Sequence, residues 1–207
     1  MHLFFFASKS KKLLNNWIKY FKALNHLQSV IFNCYLQRDY FSKIIHYEKI
    51  IHQARLKLMR IMKKIRKSDE QKNLNQLEKL YETIFSLNTF KLRILDHTTF
   101  EVCEPELKKT SQSLDAALRF VVVFLEKQFC QKEKISLRNI STRTARDMLE
   151  KSAKMIGNLS RQIDKLEELY RTTLQVISES PIFFLFFVQD LIALRDQLEA
   201  VFLEIIE

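Results

Sequence analysis

The segment DYFSKIIHYEKIIHQARLKLMRIMKKIRK, residues 39–67, decides the fold class of this chain. Its apolar residues recur at every third or fourth position, which is the spacing that places side chains on one face of an α-helix. An uninterrupted seam of this kind is typical of antiparallel bundles, where it packs against neighbouring helices. The seam consists of Ile44, Tyr47, Ile51, Ala54, Leu58, Ile61 and Ile65.

The rest of the chain lacks the residues that other fold classes need. Its 207 residues include one glycine and two prolines, whereas average usage would give roughly 14 and 10. Tight hairpins, Gly-rich phosphate loops and nucleophile elbows all depend on such residues. A hydrophobic fraction of 47% also argues against a disordered chain. We therefore predict an all-α, antiparallel bundle of five to six long helices, with residues 1–207 in a single domain.

Apolar periodicity divides the chain into six predicted helices. They cover residues 11–36, 39–67, 68–95, 105–131, 142–177 and a last stretch that begins at 181. The segment Asp96–Glu104 has poor helix propensity and is predicted to be a loop, which places Pro105 in the first turn of the fourth helix. Ser180-Pro181 is predicted to end the fifth helix and start the sixth.

The fifth helix is predicted to be the longest. Gly157 is isolated within its apolar pattern, and we expect this glycine to permit close approach of a neighbouring helix. The predicted core positions of this helix are Ala145, Leu149, Ile156, Leu159, Ile163, Leu166, Tyr170 and Ile177.

The net charge of +10 is concentrated in the first third of the chain. Residues 1–67 hold 15 Lys and Arg against only Asp39 and Glu48, a net of +13. The remaining 140 residues hold 19 basic and 22 acidic side chains, a net of −3. Residues 13–67 are therefore predicted to form basic helices and residues 68–207 near-neutral ones. Such an uneven distribution indicates an anionic partner, either nucleic acid, anionic lipid or an acidic protein.

The densest basic segment is RLKLMRIMKKIRK, residues 55–67. A basic amphipathic helix can bind anionic lipid, a phosphate backbone or an acidic helix. It can also be simply the solvated side of a bundle helix. No aromatic residue lies among these charges, which favours lipid over nucleic acid. The predicted anionic-surface residues are Arg55, Lys57, Arg60, Lys63, Lys64, Arg66 and Lys67.

No pattern typical of catalysis or metal binding is present. Three widely separated cysteines without a CxxC motif indicate a reducing compartment rather than a disulfide framework. The histidines form neither HExxH nor the ExxH pairs of di-iron bundles. Four potential ligands crowd one segment without the spacing of a zinc site: His97, Glu101, Cys103 and Glu104. We expect a non-enzymatic protein with no catalytic residue, metal or cofactor.

The N-terminal segment has a weak membrane signal. Leu3-Phe4-Phe5-Phe6 is followed by lysines at 9, 11 and 12, which is the order found where a membrane helix leaves the bilayer on the cytoplasmic side. Four apolar residues are too few to span a bilayer, which needs about 20. Residues 1–12 are therefore predicted to be either the stump of a membrane helix or a flexible N-terminus.

Three parts of the chain, within residues 38–207, resemble a known family. They are the basic helix with Tyr47, His52, Arg55 and Arg60, the end of the third helix with Arg93, Asp96 and His97 before Thr99-Phe100-Glu101, and the closing helices around Tyr170 and Pro181–Leu198. In these parts the chain resembles the soluble helical region of fusaric-acid-resistance and aromatic-acid-exporter type inner-membrane proteins.

The resemblance implies a cytoplasmic domain of an efflux-type transporter of the bacterial inner membrane. Because the sequence has no membrane helices, the chain would correspond to a fragment, to the C-terminal half of a split protein or to an excised domain. We therefore expect a non-enzymatic scaffold, cytoplasmic and peripheral to the inner membrane, that binds an anionic membrane surface or a membrane-embedded partner chain. The alternative is a free-standing basic helical protein that binds nucleic acid or an acidic protein.

Overall fold

A computed structural model describes residues 9–33, 38–63, 75, 78–88, 97–132, 142–174, 176 and 181–206. Within these ranges the chain forms six helices and no strand, which confirms the all-α prediction. The helices are α1 (Lys9–Asn33), α2 (Tyr40–Lys63), α3 (78–88), α4 (His97–Lys132), α5 (Thr142–Leu169) and α6 (Pro181–Ile206). A π-helical turn, Tyr170–Leu174, directly continues α5. In the described part of the chain, no helix combines the length and apolarity that a membrane span requires.

The helices form two rows of three, with α1 and α6 in the middle. In the first row α1 packs between α2 and α4. In the second row α6 packs against α5, and its Gln197 donates a hydrogen bond to Thr83 of α3. Between the rows α4 packs on α5, and Phe32 of α1 meets Phe187 of α6 with ring centroids 5.8 Å apart. Helix α1 is the most enclosed of the described helices, with buried side chains on most of its circumference.

Neighbouring helices run antiparallel. Tyr40 at the start of α2 donates a hydrogen bond to Asn88 at the end of α3. Arg55, near the other end of α2, pairs with Glu78 at the start of α3. The six residues between α1 and α2 include a turn at 38–39, where the predicted break lies.

The predicted seam of α2 faces the core. Ile44, Ile51, Ala54 and Leu58 are buried. Tyr47 and Ile61 are partly buried against the same cluster, and the last seam position, 65, lies outside the described residues. Each fully buried aliphatic side chain contributes about 1.5–3 kcal/mol before the entropy cost of folding is subtracted.

A line of polar side chains crosses the interface between α1 and α4. Asn25 Nδ2 donates to Asp115 Oδ1 at 2.6 Å, and Asn25 Oδ1 accepts from Gln28 Nε2 at 3.1 Å. Ser111 Oγ donates to Gln28 Oε1 at 3.4 Å and accepts from Asn33 Nδ2 at 2.8 Å. Sliding one helix along the other would leave these buried groups unpaired, at about 1–3 kcal/mol each. The polar line therefore specifies the register of α1 on α4.

The prediction of a loop at Asp96–Glu104 was wrong. The fourth helix already begins at His97, so that Pro105 lies inside it rather than in its first turn. Proline has no N–H, so the carbonyl of Glu101 loses its partner within the helix, at a cost of about 3 kcal/mol. Packing offsets this cost, because Cys103 is fully buried and Val102 packs against the core.

The expectation that Gly157 permits close helix packing was also wrong. Gly157 is exposed, and a Cβ atom placed on it would meet no other atom within 4 Å. The gap in the apolar pattern therefore marks a solvent-facing position of α5.

The core register of α5 differs from the prediction at both ends. Leu149 is 43% exposed, and Ser152 instead occupies the buried position one turn later. At the other end the π-turn inserts an extra residue into the helical repeat. Leu174, within that turn, is fully buried, although it is not among the predicted core positions of the fifth helix. Ile177 lies outside the described residues, and so does the side chain of Ala145.

Candidate anionic-surface site

The seven predicted basic residues fall into three groups. Lys57, Arg60 and Lys63 are exposed on the last turns of α2. Arg55 is partly buried and turned toward α3. The others lie outside the described residues: Lys64, Arg66 and Lys67.

Arg55 forms an ion pair within the helical bundle and does not belong to its exposed surface charge. Its Nε donates to Glu78 Oε1 of α3 at 2.8 Å, so its charge is matched by a carboxylate that lies 23 residues further along the chain. The pair lies close to Tyr20 of α1, and burial raises the pKa of Tyr20 well above its ordinary value of 10.0. Arg55 therefore joins α2 to α3 beside a buried phenol.

The single acidic residue of α2 also faces inward. Glu48 Oε1 accepts a hydrogen bond from the Tyr81 hydroxyl of α3 at 3.5 Å. Burial and the neighbouring Glu48 carboxylate together raise the pKa of Tyr81, so that this phenol stays protonated as a donor. The outward side of α2 is consequently left without a negative charge.

Helix α1 adds positive charges next to those of α2. Residues 9–33 contain five lysines and no Asp or Glu. Two contacts define how α1 lies on α2: His26 stacks on Tyr47 at 5.2 Å, and Tyr20 lies beside Arg55. Because the helices run antiparallel, this register places Lys19 level with the turn that contains Lys57. The prediction missed this contribution because it considered one helix at a time; the absence of carboxylates in residues 9–33 was the available signal.

We define the basic face as the exposed side chains Lys12, Lys19, Lys49, Lys57, Arg60 and Lys63 of α1 and α2. None of them forms an ion pair with any carboxylate of the described residues. Two ion pairs mark its borders, Lys22 with Glu126 of α4 at 2.6 Å and Lys43 with Asp39 at 3.0 Å. The positive charge of the first third of the sequence is therefore gathered on one side of the first row of helices.

Large apolar side chains are exposed on the same side of α2. Phe41 and Ile45 are each 63% exposed, and Leu56 is 38% exposed. The predicted seam of α2 does not include these three residues, and no role is predicted for them from sequence, although their offset from the seam is visible in the spacing.

Two of the four residues considered for metal binding have side chains that the structure describes. Cys103 is fully buried, and Glu104 pairs with Lys108 at 2.8 Å. The side chains of His97 and Glu101 lie outside the described set. Among the residues that the structure describes, no group of three or more His, Cys, Asp or Glu side chains could hold a metal ion.

Comparisons with family models, curated proteins and solved structures found no match to this chain. The resemblance to the fusaric-acid-resistance and aromatic-acid-exporter type proteins therefore stays a prediction.

Proposed function

We propose that the chain is a non-enzymatic helical scaffold that binds an anionic membrane surface through the basic face. The observation that carries this proposal is the set of six exposed basic side chains on two adjacent helices, to which no carboxylate of the described residues is paired. The cytoplasmic leaflet of a bacterial inner membrane would supply the complementary negative charge.

The strength of such binding follows from the number of charges. Each Lys or Arg near an anionic bilayer contributes about 1 kcal/mol, so six contribute roughly 6 kcal/mol. This corresponds to reversible binding with a dissociation constant of order 10⁻⁴–10⁻⁵ M. Salt should weaken it strongly, because the charges are exposed and screened within about 8 Å at physiological ionic strength.

The test compares vesicles of phosphatidylcholine with vesicles that also contain phosphatidylglycerol. We expect the purified chain to sediment with the anionic vesicles only and to be released by 0.5 M NaCl. Changing Lys57, Arg60 and Lys63 to Gln should weaken binding roughly a hundredfold, since three charges worth about 1 kcal/mol each are removed.

A matched control removes the same number of charges elsewhere. Lys151, Lys154 and Arg161 are exposed on α5 in the second row, and their change to Gln should leave vesicle binding intact. The proposal would be contradicted if both triple variants lost vesicle binding equally, or if the unchanged chain did not bind anionic vesicles. Tighter binding to duplex DNA than to vesicles would favour the nucleic-acid alternative instead.

A further inference from the structure

The outward side of α2 combines apolar and basic residues in a single stripe. Its members follow one another at spacings of three or four residues, so they lie along one line on the helix surface. All are exposed, and all lie opposite the buried seam of the helix. We call this set the outer stripe: Phe41, Ile45, Lys49, His52, Leu56, Arg60 and Lys63.

The composition of the outer stripe changes along the helix axis, from apolar at the start of α2 to basic at its end. Phe41 and Ile45 occupy its first two turns, about 6 Å apart along the axis. Arg60 and Lys63 occupy its last turns, and Leu56 lies between the two ends. Single exposed apolar residues are ordinary on protein surfaces. Here, however, three of them share one line with cations.

The composition of the outer stripe favours one class of binding partner over the others. The boundary of an anionic bilayer offers phosphates to Arg60 and Lys63 and an apolar layer to Phe41 and Ile45 at the same time. A nucleic-acid backbone offers phosphates without an apolar layer. A second copy of this chain would bring the same positive charges together, which is unfavourable. Charge complementarity and apolar area together therefore point to lipid.

We infer that α2 inserts into the membrane boundary, lying parallel to the bilayer with Phe41 and Ile45 below the headgroups. This inference rests on the proposed function and adds the mode of binding to it. Leu56 then lies at the boundary, while the basic side chains of the stripe and of α1 remain among the headgroup phosphates.

The first test removes the apolar anchors and keeps every charge. The double variant Phe41→Ser/Ile45→Ser should bind phosphatidylglycerol-containing vesicles at least about tenfold more weakly, because both side chains bury apolar area on insertion. The control is Val123→Ser/Leu203→Ser, which removes two other exposed apolar side chains, 46% and 47% exposed, from α4 and α6. This control should bind as the unchanged chain does, and circular dichroism verifies that both variants fold.

The second test reports insertion directly. The single tryptophan of the chain, Trp17, is 3% exposed and provides a constant background. In the variant Phe41→Trp, emission should shift to the blue on anionic vesicles and be quenched by lipids brominated on their acyl chains. Unshifted emission in a variant that does bind would overturn the inference.

The outcomes separate the two proposals. If the unchanged chain fails to bind anionic vesicles, both are wrong. If it binds, but the Phe41→Ser/Ile45→Ser variant binds equally well, the insertion of α2 is wrong and the electrostatic function stands.

Discussion

Gly157 lowers the helix propensity of α5, and no contact in the described structure compensates for this loss of stability. It is exposed in the middle of α5, and no atom approaches the place where a Cβ would be. Glycine in a helix interior costs about 1 kcal/mol relative to alanine. Gly157→Ala should therefore raise the free energy of unfolding by about 0.5–1 kcal/mol in urea denaturation. Ala153→Gly, at an exposed position of the same helix, should lower it by a similar amount; a loss of stability in Gly157→Ala would show a hidden contact.

Asp190 is a partly buried acid that should make stability depend on pH. Within the described part of the chain its Oδ2 has no hydrogen-bond partner, although Ser86 hydrogen-bonds to the carboxylate. Burial raises the pKa of Asp190 above its ordinary value of 3.8, and the bond to Ser86 offsets only part of this effect. The folded state thus binds this proton more tightly than the unfolded state does. The stability that Asp190 contributes is present below pH 3.8 and is lost as the pH rises through the raised value.

Asp190→Asn should remove the free-energy cost of keeping a charged carboxylate partly buried in the folded state. The variant should be more stable than the unchanged chain at pH 7, and its advantage should shrink toward pH 4, as measured by denaturant unfolding at both pH values. Asp196→Asn is the control, because Asp196 is exposed on the same helix and binds Arg195. An advantage of Asp190→Asn that does not change with pH would contradict the assignment.

At the scale of the elements, α4 depends on packing to continue through Pro105. The proline is exposed and leaves the Glu101 carbonyl without an intrahelical donor. Pro105→Ala should restore this hydrogen bond and raise the free energy of unfolding by about 1–3 kcal/mol. Pro181→Ala should bring no such gain, because Pro181 is the first residue of α6, where its N–H is not needed. Equal effects of the two substitutions would indicate that a helix starts at 105 after all.

The polar line between α1 and α4 gives the second prediction at this scale. Asn25→Ala removes the partner of Gln28 and of Asp115, so it should lower the free energy of unfolding by about 1–3 kcal/mol. Asn15→Ala on the exposed side of the same helix should be neutral or slightly stabilising, given the higher helix propensity of alanine. Equal stability of the two variants in urea would show that the polar line contributes nothing.

At the scale of the whole molecule, the basic face should destabilise the free protein. Two unit charges 10 Å apart in water repel by about 0.4 kcal/mol, and salt screens this repulsion. Raising NaCl from 20 to 150 mM should therefore raise the midpoint of thermal unfolding. Lys19→Gln/Lys57→Gln should raise the midpoint at 20 mM and reduce its dependence on salt, whereas Lys151→Gln/Lys154→Gln on the mixed surface of α5 should do neither. A midpoint that falls with added salt would contradict this prediction.

Features that depend on the periodicity within one helix could be predicted from the sequence, whereas features that depend on packing between helices could not. The seam of α2 was predictable because burial repeats with the helical period, and Ile44, Ile51 and Leu58 are indeed buried. The start of α4 and the π-turn Tyr170–Leu174 were not, because tertiary packing outweighs local propensity there. The exposed residues Lys57, Arg60 and Lys63 could be named from charge density alone.

The sequence by itself determined the helical class, the buried seams and the concentration of charge in the first third of the chain. Only the tertiary structure decided which charges face outward: Arg55 is matched by Glu78 of α3, whereas Lys19 joins the basic face from α1. It also decided that Phe41 and Ile45 face outward with those charges. The physical reason is that periodicity within a helix specifies which side is buried, whereas the neighbours that pair with its charges come from distant parts of the chain.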